Sequence, residues 1–133
     1  MVPEILFDDF QEILRWEIEK INRFQCPKEL CVVYLKPEFK EEFEKLRKVI
    51  KEVLRKTDLL TSVEDNIFLI LPNTTKEGAQ FISKAIYDFF NKQVIEVYID
   101  FPKDGTTKDE LIKNLIKAVE NKYGILLEKY FKR

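Results

Sequence analysis

The chain has 133 residues, of which 45% are hydrophobic and 35% are charged, and its formal net charge is −1. This composition is typical of one folded domain with a proper core and excludes a disordered chain. The interspersed charges argue against a nucleic-acid polymer as partner, because such proteins carry a basic stripe. The longest apolar runs, residues 30–35 and 67–71, are too short to cross a membrane. The N-terminal segment carries acidic residues where a secretory signal peptide carries basic ones. We therefore expect a cytoplasmic protein that binds neither membranes nor nucleic acid.

Histidine is absent, and the only cysteines are Cys26 and Cys31. Histidine-dependent catalysis is thereby excluded, and a closed zinc site is disfavoured because it needs four nitrogen or sulfur ligands. Cys31 lies inside an apolar run and is expected in the core. We predict neither a metal site nor a cofactor. The scarcity of glycine and the abundance of Lys and Glu resemble the composition of heat-adapted proteins.

Two helices and a strand are predicted before residue 57. An apolar stripe at helical spacing predicts a helix that opens at Pro3 and Glu4 and ends before Pro27. Residues 30–35 have no polar alternation, so they are expected to form a central strand buried on both faces. Residues 38–56 predict a second helix, whose expected buried stripe is Phe39, Phe43, Leu46, Ile50 and Val53.

Residues 57–72 predict a β-hairpin. Glu64, Asp65 and Asn66 interrupt an apolar run, as turn residues do, and are expected to form a solvated corner. The following run, Ile67–Leu71, contains no polar residue and predicts a second central strand.

The last third of the chain predicts two helices around a strand. Thr74 with Glu77, and Thr107 with Glu110, match the capping-box pattern that opens a helix. The stripes expected to be buried are Ala79, Ile82, Ala85, Ile86 and Phe89 in the first helix, and Leu111, Leu115, Ala118 and Val119 in the second. Between them residues 94–101 alternate, which predicts a half-exposed edge strand with Glu96, Tyr98 and Asp100 on its polar side. Residues 125–131 remain as a short apolar segment that must dock on the core.

This order of elements predicts the α+β class. Its middle is a ferredoxin-like split βαβ (βαββαβ) antiparallel sheet, extended by an N-terminal helix and a C-terminal helix. The first and third strands are central in that arrangement, and they are the two strands without polar positions. We predict a single domain over residues 1–133, with the N-terminal helix within 1–27, the core over 30–123 and a C-terminal segment over 124–133.

Four short segments carry a family resemblance. In order, they are Phe39-Lys40, Arg55-Lys56-Thr57-Asp58, Leu69-Ile70-Leu71-Pro72-Asn73-Thr74, and residues 102–107 followed by Asp109-Glu110-Leu111. Over residues 30–123 the chain thereby resembles a GGDEF domain, the family of diguanylate cyclases. The resemblance implies a palm-like core.

The departures from that family concern its catalytic groups. Family activity implies two metal ions on the GTP phosphates, held by an acid at the end of the first strand and another in the hairpin. The strand-end positions are Leu35 and Pro37, which cannot ligate a hard cation. The hairpin signature is degenerate and shorter, with Glu64, Asp65 and Asn66 at its corner. We therefore predict a catalytically inactive domain, not an enzyme, that acts as a regulatory or protein-interaction module and self-associates as a homodimer.

Alternative functions stay open. Arg55 and Asp58 match the family's Arg-x-x-Asp site, which implies a cyclic di-GMP receptor; a guanidinium can grip a phosphate or guanine edge, and a carboxylate can accept guanine amine donors. Ser62 replaces a further arginine of that site. The purely structural alternative is that Arg55 ends a helix and Asp58 starts a turn. A different split-βαβ module, for RNA or a small ligand, and residual cyclase activity are further alternatives.

Trp16, Phe24, Tyr130 and Phe131 lie off the main stripes and are expected either at an interface or against the sheet.

Overall fold

A computed structural model of the chain describes residues 4–25 and 27–131. Four strands, β1 (Leu30–Pro37), β2 (Leu59–Val63), β3 (Asn66–Pro72) and β4 (Val94–Phe101), form an antiparallel sheet in the order β2-β3-β1-β4. Leu30 lies opposite Pro72 on one side and Phe101 on the other. The predicted α+β class and split-βαβ order are confirmed, with β1 and β3 central and β2 and β4 at the edges.

Helices cover both faces of the sheet. The helices are α1 (Phe10–Phe24), α2 (Phe43–Val53), α3 (Gln80–Ala85), α4 (Lys108–Tyr123) and α5 (Glu128–Phe131). Val32, Tyr34 and Phe68 point to the face under α1 and α4. Val33 and Leu69 point to the face under α2 and α3. Because each central strand is buried on both sides, it needs apolar residues at every position, which explains the two unbroken runs.

The N-terminal helix starts later than its sequence predicts. Pro3 lies outside the described residues, and Glu4 is not helical: it forms a parallel bridge with Leu60, and the amide of Ile5 donates to the Leu60 carbonyl at 2.9 Å. A 3₁₀ turn (Phe7–Asp9) then leads into α1. The segment thus covers the outer edge of β2, so tertiary pairing overrides the local helix signal.

The second and third helices are also shorter than predicted. A 3₁₀ turn (Lys40–Glu42) precedes α2, and Phe39, expected in the buried stripe, is 56% exposed. The Thr107 hydroxyl accepts from the Glu110 amide, as the capping box requires. Thr74 caps no helix, since α3 begins only at Gln80 and the Thr74 hydroxyl donates to the Thr75 carbonyl.

A π-helical turn (Ile86–Phe90) follows α3 and changes which phenylalanine is buried. The amide of Asn91 donates to the Ile86 carbonyl at 2.7 Å, five residues back. The wider turn shifts the register, so Phe90 is 2% exposed and Phe89, expected in the core, is 66% exposed.

The C-terminal segment docks as predicted. Leu127 is fully buried, and the Phe131 ring lies within 5.5 Å of the Phe7 and Phe68 rings. Cys31 is buried as expected, whereas Cys26 lies outside the described residues. Within the described part of the chain, no helix has the length and apolarity needed to span a bilayer. The single domain over residues 1–133 stays a prediction.

Candidate functional site

The hairpin between β2 and β3 presents the first candidate group of residues. Its loop consists of Glu64 and Asp65 alone, and Glu64 adopts a left-handed conformation with φ of 54°. The Asp65 carboxylate accepts a hydrogen bond from Lys36 Nζ at 2.5 Å, across from the end of β1. Side-chain exposure is 25% for Lys36 and 12% for Asp65. The two charges therefore neutralise each other in a site with little exposure to solvent.

The other polar side chains of the corner also have partners within the chain. The Tyr34 hydroxyl donates to Asn66 Oδ1, and Asn66 Nδ2 donates to the Val63 carbonyl at 3.1 Å. The Tyr130 hydroxyl, from α5, donates to Glu64 Oε1 at 2.9 Å. The expectation of a solvated corner is wrong for Asp65 and Asn66, which are buried because β1 supplies their partners, Lys36 and Tyr34.

The end of β1 is apolar where the family resemblance implies acids. Leu35 is fully buried and packs among the residues under α2 and α3, and Pro37 is buried as well. Over residues 4–25 and 27–131, no group of three or more acidic or cysteine side chains is arranged to hold a metal ion. Beside this strand end the carboxylate of Asp65 forms an ion pair with Lys36 of β1.

Arg55 and Asp58, the predicted ligand-binding pair, bind each other. Asp58 Oδ1 accepts from Arg55 Nε at 3.1 Å and from Nη2 at 2.8 Å, while Oδ2 accepts from the Arg55 amide at 2.7 Å. Arg55 Nη2 also donates to the Pro72 carbonyl at 2.8 Å. Asp58 is fully buried, whereas the Arg55 side chain is 41% exposed and lies 5.9 Å from the Phe81 ring. The pair ties the end of α2 to the end of β3.

The polar side of β4 forms a cluster that sequence reasoning missed. The hydroxyls of Ser83 and Tyr98 each donate to Glu96 Oε1 at 2.6 Å, and they lie 3.0 Å from each other. Burial, together with the hydrogen bond to Glu96, raises the pKa of the Tyr98 hydroxyl. Asp100, expected on an exposed face, is 3% exposed because it accepts from the amide of Lys76. The polar residues in the alternation were the available signal, but α3 covers them.

Two grooves adjoin the beginning of β4. One, of about 570 Å³, is lined on the α3 side by Ser83, Ile86, Tyr87, Asn91, Lys92, Gln93, Val94 and Glu96. The other, of about 430 Å³, is lined on the α4 side by Lys36, Pro37, Glu38, Gln93, Val94, Ile95 and Tyr123. Gln93 and Val94 belong to both, so the grooves flank the same stretch of strand.

Comparison with solved structures shows that proteins of the GGDEF type share this fold. The crystal structure of a DGC protein from Thermotoga maritima matches with a TM-score of 0.72 and 21% identity, over 88% of this chain and 96% of that chain. A sensory box/GGDEF family protein from Caulobacter crescentus matches with a TM-score of 0.68 and 12% identity, over 88% of this chain and 91% of that one. No family model and no curated protein matches the sequence. The chain therefore has the fold of the GGDEF domains, as its sequence motifs predicted.

Proposed function

We propose that this GGDEF-like domain forms no cyclic di-GMP and acts as a regulatory or protein-interaction module. The observation that carries the proposal is the ion pair between Lys36 and Asp65. Of the two carboxylates in the hairpin loop, Asp65 is neutralised by the Lys36 ammonium, and Glu64 accepts a hydrogen bond from the Tyr130 hydroxyl. At the strand end the neighbouring side chains are the buried Leu35 and Pro37, which lack the oxygen donors that Mg²⁺ prefers.

Exposed large apolar side chains support the interaction role. Tyr87 is 77% exposed, Phe89 66% and Trp16 52%. Tyr87 and Phe89 lie within the π-helical turn beside the α3-side groove. Aromatic side chains are enriched in protein interfaces, where they contribute much of the binding energy. A protein partner or a second copy of this chain is therefore the expected ligand class.

The test of inactivity is incubation with GTP and either Mg²⁺ or Mn²⁺, followed by chromatography of the nucleotides. We expect no cyclic di-GMP from the wild-type chain and none from Lys36→Met, which frees Asp65 but restores no acid to the end of β1. A diguanylate cyclase of proven activity, run alongside, validates the assay. Cyclic di-GMP formed by the wild type and lost in Asp65→Asn would overturn the proposal.

A second candidate function is a cyclic di-GMP receptor at Arg55. The exposed guanidinium is held in place by Asp58 and the Pro72 carbonyl, which favours recognition of a phosphate or guanine edge. Asp58 itself is fully buried and engaged, so the receptor would act through Arg55 alone.

Calorimetric titration with cyclic di-GMP tests the receptor. Arg55→Lys keeps a cation beside Asp58 but removes the paired N–H donors of the guanidinium. If Arg55 binds cyclic di-GMP, we expect this variant to lose affinity for it by about tenfold or more. Lys56→Met, the neighbouring exposed cation, is the matched control. Absence of heat with the wild type, or equal heat with Arg55→Lys, contradicts the receptor.

A further inference from the structure

The two edges of the sheet differ in how they are covered. The outer edge of β2 is paired with the segment at Glu4 and Ile5, through the bridge to Leu60. The outer edge of β4 has no strand beside it within residues 4–25 and 27–131. An uncovered edge strand presents unpaired amides and carbonyls and is a template for another extended chain.

The backbone groups that point outward from β4 can be assigned. The Asp104 amide donates to the Asp100 carbonyl at 2.7 Å, and the Asp100 amide donates to Asp104 Oδ2 at 2.8 Å. Asp100 therefore points away from β1. Since outward and inward groups alternate in an antiparallel ladder, those of Val94, Glu96 and Tyr98 also point outward. The Glu96 carbonyl accepts a hydrogen bond from the Tyr123 hydroxyl at 3.5 Å, which agrees with this assignment.

The turn at Asp104 closes one end of the edge and leaves the other end open. Asp104 satisfies both outward groups of Asp100, so an incoming strand can pair only from Val94 to Tyr98. This open stretch is flanked by the α3-side groove on one face and the α4-side groove on the other. Side chains of an added strand point alternately to the two faces, so each groove would receive every second side chain.

The charge of the α3-side groove indicates what it would receive. Glu96 accepts hydrogen bonds from Ser83 and Tyr98, but in the described part of the chain it forms no ion pair. Lys92, the cation in the same groove, pairs with Glu42 at 3.5 Å. A half-buried carboxylate with no cation favours a Lys or Arg from the partner. On the other face, Pro37, Ile95 and Tyr123 offer apolar contact.

We infer that the edge of β4 is a docking site for an extended peptide segment of another protein. The segment pairs with residues 94–98, directs a basic side chain to Glu96 and places an apolar side chain in the α4-side groove. This inference rests on the proposed role as an interaction module and names its partner class.

Fluorescence anisotropy with three labelled peptides tests the inference on the full chain. The probe is the blocked peptide VKVKVKV, with lysines on one face and valines on the other. VEVEVEV is its charge-reversed control, and VKVKVKV with all internal amides N-methylated cannot donate to a strand edge. We expect VKVKVKV to bind at least about tenfold more tightly than either control.

Two matched variants test whether the Glu96 carboxylate causes the preference for the lysine peptide. Glu96→Gln keeps an acceptor for Ser83 and Tyr98 but removes the charge, and we expect it to reduce the preference for VKVKVKV over VEVEVEV by about tenfold. Glu52→Gln, an exposed acid on α2, should leave that preference unchanged. Hydrogen exchange should show slowing at the amides of Glu96 and Tyr98 on addition of the lysine peptide.

Several results would overturn the inference. They are equal affinity for the lysine and glutamate peptides, undiminished binding of the N-methylated peptide, no binding of any peptide, or protection outside β4. A chain that is already dimeric with these amides protected would make the occupant a second copy, not a peptide. These outcomes leave the proposed inactivity intact, because only the nucleotide assay decides it; conversely, cyclase activity would not alter the peptide measurements.

Discussion

Lys36 Nζ and Asp65 Oδ2 lie 2.5 Å apart at the end of the sheet, 29 residues apart in the chain. Each side chain is less than one-third exposed, so removal of the cation leaves a carboxylate with little access to water. We expect Lys36→Met to lower the free energy of unfolding by about 1–3 kcal/mol, the usual cost of an unsatisfied buried polar group. Urea denaturation measures the change.

The matched control for that variant is the exposed pair Lys84–Asp88, in which Lys84 is 78% exposed. Lys84→Met should change the stability by less than about 0.5 kcal/mol, since exposed helical pairs contribute little. The double variant Lys36→Met/Asp65→Asn should regain part of the lost stability. Equal effects of the two single variants would contradict the importance of the buried pair.

Arg55 and Asp58 form a second ion pair, in which Asp58 is fully buried and the Arg55 side chain is 41% exposed. Removal of the guanidinium in Arg55→Met leaves the fully buried Asp58 carboxylate with the Arg55 amide as its remaining donor. We expect a loss of about 1–3 kcal/mol, the usual cost of leaving a buried polar group without its partner. Lys56→Met, which removes a neighbouring exposed cation, is the control in the same urea titration. A loss below about 1 kcal/mol would mean that the pair does not tie α2 to β3.

The strand order could be predicted from the sequence because a strand buried on both faces has apolar residues at every position. Residues 30–35 and 67–71 have no polar position, and this alone places β1 and β3 at the centre of the sheet. The partners of Asp65 and Glu64 could not be predicted in this way. The chain has many lysines and five tyrosines, and only the tertiary fold selects Lys36 and Tyr130.

Predictions from local sequence patterns were wrong where a tertiary contact or a π-helical turn determines the structure. The sequence predicts that a helix begins at Glu4, but Glu4 forms a parallel bridge with Leu60 of β2. The outer edge of β2 offers backbone hydrogen bonds that the frayed end of a helix lacks. Phe89 fits a helical stripe of constant period, yet the π-helical turn moves Phe90 into the core in its place. A period of 3.6 residues cannot reveal such a turn in advance.

The π-helical turn leads to a prediction with a built-in control. Phe90 is 2% exposed and packs with the core residues under α2 and α3, so Phe90→Ala should cost about 3–5 kcal/mol. Phe89→Ala, its neighbour at 66% exposure, should change stability by less than about 0.5 kcal/mol. Thermal or urea unfolding of the two variants measures both. If Phe89→Ala proved the more damaging, the turn would be an ordinary α-helix.

The buried Tyr34 and the half-buried Tyr98 allow a prediction of how stability depends on pH. Burial raises the pKa of Tyr34 and of Tyr98, and hydrogen bonding to Glu96 raises the latter further. Above the ordinary tyrosine value of 10.0 the unfolded chain loses these protons while the folded chain keeps them. The folded state then binds more protons than the unfolded state, so stability is fully present below that value and falls as the pH rises above it.

We therefore expect the free energy of unfolding to decrease above about pH 10, by up to about 1.4 kcal/mol per pH unit for each of the two tyrosines. Urea titrations between pH 8 and 11 measure the slope. Tyr34→Phe and Tyr98→Phe should each reduce the slope, although Tyr34→Phe also leaves Asn66 Oδ1 without its donor and lowers stability at pH 8. A wild-type slope that neither variant reduces would show that Tyr34 and Tyr98 ionise as freely in the folded chain as in the unfolded one.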